Sequence, residues 1–157
     1  MKILIVDDIH YNLLLLERTL KSLGHQVIKS LTAQEALRTL ELIEDIDVVI
    51  TDYAMPGKDG LELKKACHQK LRIEMGRKMP HFVMLSAYAT EDVSNKAKRN
   101  GFIEIMKKPF KRNEIEACLI ELSQSTPSLF TTVKKVLIYS PDQLIQEALE
   151  KSLPEEN

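Results

Sequence analysis

The chain of 157 residues has little of what many site types require. It has two cysteines, Cys67 and Cys118, far apart and each inside a helix-like segment. That excludes a disulfide framework and a thiolate metal site, and leaves two small buried hydrophobes in a reducing cytosol. The four histidines (His10, His25, His68 and His81) are scattered, and none pairs with another at ligand spacing. They read as surface or internally satisfied groups. The net charge is -1, with no excess of either sign to mark a nucleic-acid or membrane-surface binder. No apolar run exceeds four or five residues, far short of the ~20 that span a bilayer. The chain enters a strand directly after Met1 and Lys2, with no small-residue cleavage site, so the expectation is a cytoplasmic protein.

What is present is an ordinary globular composition, 44% hydrophobic and 29% charged, with length for one domain and a short appendage. Ile3, Leu4, Ile5 and Val6 form an apolar run ending in Asp7 and Asp8. Such a short, β-branched run predicts a buried strand. Leucines at 13, 16, 20 and 23 recur at helical spacing, and Gly24 closes that helix. A strand follows over 26–30. Thr32, with Glu35 three residues on, predicts a capping box opening a helix to about Ile43. Residues 47–52 read as a third strand, 60–73 as a helix, 76–80 as a basic loop and 82–85 as a fourth strand. Residues 90–100 read as a polar helix closed by Gly101, 102–106 as a fifth strand, and 111–123 as a fifth helix.

Strand and helix thus alternate five times over residues 1–123. That pattern predicts a parallel sheet with helices on both faces, joined by right-handed crossovers. The strands lack in–out alternation, as in sheets covered on both sides. In this architecture ligands bind beyond the carboxyl ends of the strands, at the switch in strand order.

The residues at those ends carry the chemistry. Strand one ends in Asp7 and Asp8, strand three in Asp52, strand four in Ser86, and strand five is followed by Lys108. Singly, each has a commonplace reading as a helix cap, a solvated turn or a surface group. Jointly, if those strands are neighbours, they converge on one pocket. Three carboxylates there must share protons or hold a cation. Oxygen-only ligands favour a hard ion, magnesium over zinc, and magnesium completes its shell with waters and phosphate oxygens. Lys108 and Ser86 would then clamp a phosphoryl group, and Asp52 is placed to attack phosphorus.

The segments LIVDD (4–8), TDYAMPGKDG (51–60), LSA (85–87) and KKPF (107–110), in this order and at suitable spacing, resemble the receiver domain of two-component response regulators. DDIHYN (7–12) resembles in style the receivers attached to hybrid sensor histidine kinases. The resemblance covers residues 1–123 and implies a flavodoxin-like (βα)5 sheet of order 2-1-3-4-5. It implies Asp52 as phosphoryl acceptor, with Asp8, Asp52 and the Ala54 backbone carbonyl as magnesium ligands and Asp7 acting through water. Ser86, followed by Ala87, and Lys108 would hold the phosphoryl group. Met55 would shape the loop, and the bond before Pro109 would be cis, a form tolerated only before proline. The donor would be a phosphohistidine on a histidine kinase or phosphotransfer domain in a phosphorelay. The domain would be a signalling phosphoacceptor rather than an enzyme, catalysing only its own phosphorylation and slow dephosphorylation.

Two departures from the family pattern alter the expectation. Ile105 stands where the family usually carries the switch aromatic, so the output is expected to run through Ser86 and the loop after it. Ala54 cannot hydrogen-bond an attacking water, and Tyr88 is bulky enough to cover the phosphoryl group. Both predict slow self-dephosphorylation, and a partly buried surface aromatic is an equal alternative reading of Tyr88.

Beyond 123, residues 124–133 read as a hydroxyl-rich linker and 134–157 as a strand–helix extension. Lys135, Val136, Leu137, Ile138 and Tyr139 align with residues 2–6, but Ser140 and Pro141 replace the acidic pair. This is either the start of a truncated, degenerate second receiver or a chance strand–helix. An apolar strand cannot safely stay exposed, so it is expected to add to a sheet edge or exchange with a second chain. A homodimer through this extension, or through the face of helix 4, strand 5 and helix 5, follows from that expectation. The tail is too short for a DNA-binding output domain, so no direct nucleic-acid contact is expected. Three rivals fare worse. An aspartyl phosphatase needs a second Asp at the position of Ala54, a flavin module needs a hydroxyl- and glycine-rich loop where Asp7 and Asp8 stand, and a partner-binding pseudo-receiver does not need the intact acid set.

Overall fold

The computed structural model describes residues 1–125. The strands are β1 (Lys2–Val6), β2 (Gln26–Ser30), β3 (Val48–Asp52), β4 (His81–Ser86) and β5 (Glu104–Lys107). The helices are α1 (His10–Ser22), α2 (Ala33–Leu42), α3 (Gly60–Cys67), α4 (Glu91–Arg99) and α5 (Arg112–Ser125). All strand pairs are parallel and the order is β2-β1-β3-β4-β5. The chain therefore reverses direction of growth between β1 and β3, the switch point where such sheets bind ligands.

Alternation within the strands explains the two layers. Leu4, Val6, Val49, Phe82 and Met84 share one buried cluster with Ala36 and Leu40 of α2, Leu63 and Cys67 of α3, and Ala97 of α4. Ile3, Ile5, Ile50 and Val83 take the alternate positions and are equally buried, as are Leu13, Leu16 and Leu20 of α1. Because both strand faces meet helices, the strands need no polar alternation.

The helix ends follow the expected chemistry with two differences. Gly24 and Gly101 close α1 and α4 with positive φ. In each case the next residue's N–H reaches back five positions, His25 to Leu20 and Phe102 to Ala97. At α2 the Thr32 hydroxyl accepts the Glu35 N–H at 3.0 Å. The Glu35 carboxylate, however, accepts from Leu31 at 2.8 Å rather than from Thr32, so the box closes one residue early. The reciprocal box instead forms at α3, where Asp59 and Glu62 each accept the other's N–H.

The helix expected over 60–73 is α-helical only to Cys67. It widens into a π-helical stretch, His68–Glu74, which keeps Leu71 buried. The basic loop after it has a defined task. The Arg77 guanidinium donates to the carbonyls of Leu40 (2.8 Å), Glu41 (3.0 Å) and Ile43 (3.4 Å), closing the carboxyl end of α2. Helix α5 runs two residues into the expected linker, because nothing in the sequence breaks it before Pro127. The rest of that linker, the strand–helix extension over 134–157 and the dimer expected through it lie outside the described residues.

Candidate functional site

Parallel ladders at the switch point bring four strand ends to one place, and backbone bonds beyond the ladders fasten them. Asp7 N–H donates to Ser30, Tyr53 N–H to Leu85 and Lys108 N–H to Ser86, at 3.2, 2.9 and 2.9 Å. The strand-end residues Asp7, Asp52 and Ser86 are buried, and Asp8 is exposed. Carboxylate oxygens of Asp7, Asp8 and Asp52 lie within 4.8 Å of one another. The Lys108 ammonium sits 3.0 Å from Asp7 and 2.9 Å from Asp52, bridging the two buried acids. The Lys108–Pro109 bond is cis, as expected.

The environment of each acid is distinct. Asp7 turns back onto the start of α1, which has no side-chain cap. Its carboxylate accepts from the Ile9 N–H at 2.9 Å and the Asn12 amide at 3.2 Å. Burial pushes the Asp52 carboxyl above its ordinary range, and the Lys108 contact only partly offsets that. Burial alone would pull Lys108 down, but its bonds to Asp52 and Asp7 outweigh this and hold the ammonium above its ordinary value. Asp52 thus sits in a pocket where a further cation would relieve it.

The loop after Asp52 is held by packing. Met55 is buried in the core cluster, so it anchors the loop from beneath. Gly60 N–H donates to the Tyr53 carbonyl at 2.8 Å, and a Cβ at Gly60 would lie 2.8 Å from the Asp52 carbonyl. Only glycine lets α3 start that close to the acceptor strand. Ala54 is exposed on this loop.

On the other side, the Ser86 hydroxyl accepts the Tyr88 N–H at 3.1 Å, and Ala87 is exposed. Tyr88 engages Ser86 through its backbone, and the residue is 78% exposed. Ile105 is half-buried and packs against the core cluster. Sequence reasoning assigned no site role to Asn12, whose amide helps fix Asp7. The only signal for it was its place in DDIHYN.

A groove of about 560 Å³ opens beside the acids, lined by Asn12, Leu15 and Leu16 of α1 and by Lys108, Pro109 and Phe110.

Oxygen-only acids at a switch point, bridged by one lysine and flanked by a buried hydroxyl, form a pocket whose chemistry suits a hard cation and an anionic ligand. The chain belongs to the response regulator receiver domain family, whose model matches residues 3–120. It is 39% identical over 102 residues to the two-component response regulator ARR21 of Arabidopsis thaliana, covering 64% of this chain and 16% of that protein. It is 31% identical over 140 residues to the sensory/regulatory protein RpfC of Xanthomonas campestris, covering 88% of this chain and 19% of RpfC. The chain thus spans less than a fifth of the length of these relatives. Among solved structures, chemotaxis protein CheY4 of Vibrio cholerae superposes with a TM-score of 0.68 at 26% identity, covering 77% of this chain and 97% of CheY4. Response regulator TrrA of Thermotoga maritima, solved with Mg2+ and BeF, matches with a TM-score of 0.65 at 26% identity, covering 77% of this chain and 97% of TrrA. The fold is therefore flavodoxin-like and the domain a two-component receiver. No helix among the described residues is long and apolar enough to cross a membrane.

Proposed function

We propose that Asp52 takes a phosphoryl group from a phosphohistidine in a magnesium-dependent step, and that the chain works in a phosphorelay with a histidine kinase or phosphotransfer domain. The observation that carries this is the Lys108 bridge between Asp7 and Asp52, with Asp8 in reach of both. The donor set fits magnesium. It is all oxygen, half-buried and crowded with negative charge. Asp8, Asp52 and the Ala54 carbonyl would hold the ion directly and Asp7 through water. Bound there, it would neutralise the acids and polarise the phosphoryl oxygens.

This chain's residues do the rest. An Asp52 carboxylate oxygen attacks phosphorus, the P–N bond to the donor imidazole breaks, and the imidazole keeps the electron pair and takes a proton. Lys108 turns from the carboxylates to the transferred phosphoryl oxygens, and the Ser86 hydroxyl donates to one of them. The donor must approach over the groove that opens on Asp7 and Lys108, whose lining includes Leu15, Pro109 and Phe110. An amphipathic helix carrying the phosphohistidine suits that lining.

With Ile105 packed against the core, the output runs through Ser86 and the loop bearing Tyr88. With Ala54 unable to orient a water, the phosphoryl group is long-lived. The domain remains a signalling acceptor with these two self-directed steps, and a cytoplasmic setting belongs to the same reading. Magnesium titration followed by backbone amide shifts tests the metal claim. Saturable shifts at residues 8, 52 and 54, lost in Asp8→Asn, are expected. Unchanged shifts in the native protein would remove magnesium from the account.

A further inference from the structure

A second charged site lies away from the acids, on the outer surface of α3 and α4. Lys64 and Lys65 of α3, His68 and Gln69 just beyond it, and Arg99, Asn100 and Gly101 at the end of α4 line a cleft of about 430 Å³. That volume suits a small molecule. Among the described residues, no carboxylate lies within salt-bridge distance of Lys64, Lys65 or Arg99. Two acids on the same segment are committed elsewhere. Glu62 closes the capping box with Asp59, and Glu74 is held by Lys70 at 3.2 Å and Gln69 at 3.4 Å. The carbonyls that end α4 are likewise taken, by the N–H groups of Asn100, Gly101 and Phe102 and by the Asn100 amide.

Lys64 is the most constrained of these cations. Its ammonium lies 5.4 Å from the centroid of the fully buried Phe82 ring. Gly101, with positive φ, gives it room, since a Cβ there would stand 2.9 Å from the ammonium nitrogen. Burial pulls this ammonium below its ordinary value, and the neighbouring Cys67 sulfur only partly offsets that. Two lysines, an arginine and an imidazole around one compact cleft are an arrangement for an anion with several charged oxygens on adjacent centres.

We propose that this cleft binds a small organic polyphosphate, a di- or triphosphate such as a nucleotide carries. Lys64 sits at the base, and Lys65, His68 and Arg99 close on the phosphate oxygens. Because the cleft lies near the amino ends of β4 and β5, it can be filled without blocking Asp52.

The test is calorimetric titration of the full chain with inorganic pyrophosphate and with ATP, in EDTA and moderate salt. Saturable one-to-one binding is expected. It should weaken at least about tenfold in Lys65→Glu, Arg99→Glu and Lys64→Met. Asp52→Asn should bind unchanged, which separates this cleft from the acid pocket, and Lys65→Glu should still take up phosphoryl from acetyl phosphate. An equal loss in Lys29→Glu, whose ammonium is paired with Glu17, would reduce the effect to net charge and overturn the proposal. So would no binding at millimolar ligand, or binding of a polyglutamate peptide with none of pyrophosphate.

Discussion

At the carboxyl ends of the strands Lys108 is held between Asp7 and Asp52, at 3.0 and 2.9 Å. Near their amino ends Lys64, Lys65 and Arg99 line a cleft with no carboxylate in reach among the described residues. The two places hold opposite charge in a chain whose net charge is -1. Their difference shows how a parallel sheet sorts function. Strand ends at the switch point converge, so acids placed there are forced together and one lysine must serve two of them. The helix surfaces at the other end diverge, so their cations stay separate and uncommitted.

Removing the shared lysine should break the carboxyl-end arrangement most severely. Lys108→Met is expected to slow phosphoryl uptake by about 100-fold, through loss of the charge that meets the phosphoryl oxygens. It should also cost about 2 kcal/mol in urea unfolding at neutral pH, because it leaves Asp7 and Asp52 facing each other. Retained uptake would mean that Lys108 is structural only. Alkali probes the same pair. Lys108's folded value is raised, so its contribution is full below pH 10.5 and is lost as pH rises through the folded value.

Arg77 sharpens the contrast with the open cleft, because it is a cation already committed to three carbonyls at the end of α2. Arg77→Ala should lower stability by about 2 kcal/mol, whereas Lys65→Ala should shift it by less than about 0.5 kcal/mol. Equal losses in urea unfolding would erase the distinction.

A smaller effect is expected at Ala54. Ala54→Asn, which can orient a water, should speed loss of the phosphoryl group about tenfold. Following the decay of the phosphorylated species by mass spectrometry checks this, and an unchanged rate would assign the slow step elsewhere.

The last expected effect is a gain. Burial raises the Asp52 carboxyl from its ordinary 3.8, so the folded state holds that proton more tightly than the unfolded state does. Its contribution to stability therefore falls as pH rises from 3.8 through the folded value. Asp52→Asn should be more stable than the native chain at neutral pH, by about 1 kcal/mol. The gap should close in acid. A gap that widens in acid would show that the Lys108 contact outweighs burial.

The strands and the acid set were legible because each rests on a short local signal, and the strand order came with the resemblance those signals carry. The apolar runs are too brief and β-branched for helices, and Asp7, Asp8, Asp52, Ser86 and Lys108 each stand at a strand's carboxyl end or within two residues of it. What was not legible depends on distance across the fold. Nothing near Arg77 in sequence points to α2, which it closes from 34 or more residues away. The register by which Glu35 passes Thr32 to reach Leu31 depends on the turn before the helix. The bond from the Tyr88 N–H to the Ser86 hydroxyl, two residues back, depends on how the loop turns after β4. The basic cleft joins α3 to the end of α4, and its cations appear in sequence only as ordinary surface lysines and an arginine.

Phosphoryl uptake at Asp52 is the claim on which the rest depends. Incubating the native chain and Asp52→Asn with acetyl phosphate and magnesium, then reading intact mass, tests it directly. The account predicts an acid-stable, base-labile gain of one phosphoryl group in the native chain, absent without magnesium and absent in Asp52→Asn. No gain in the native chain, or the same gain in Asp52→Asn, would contradict it.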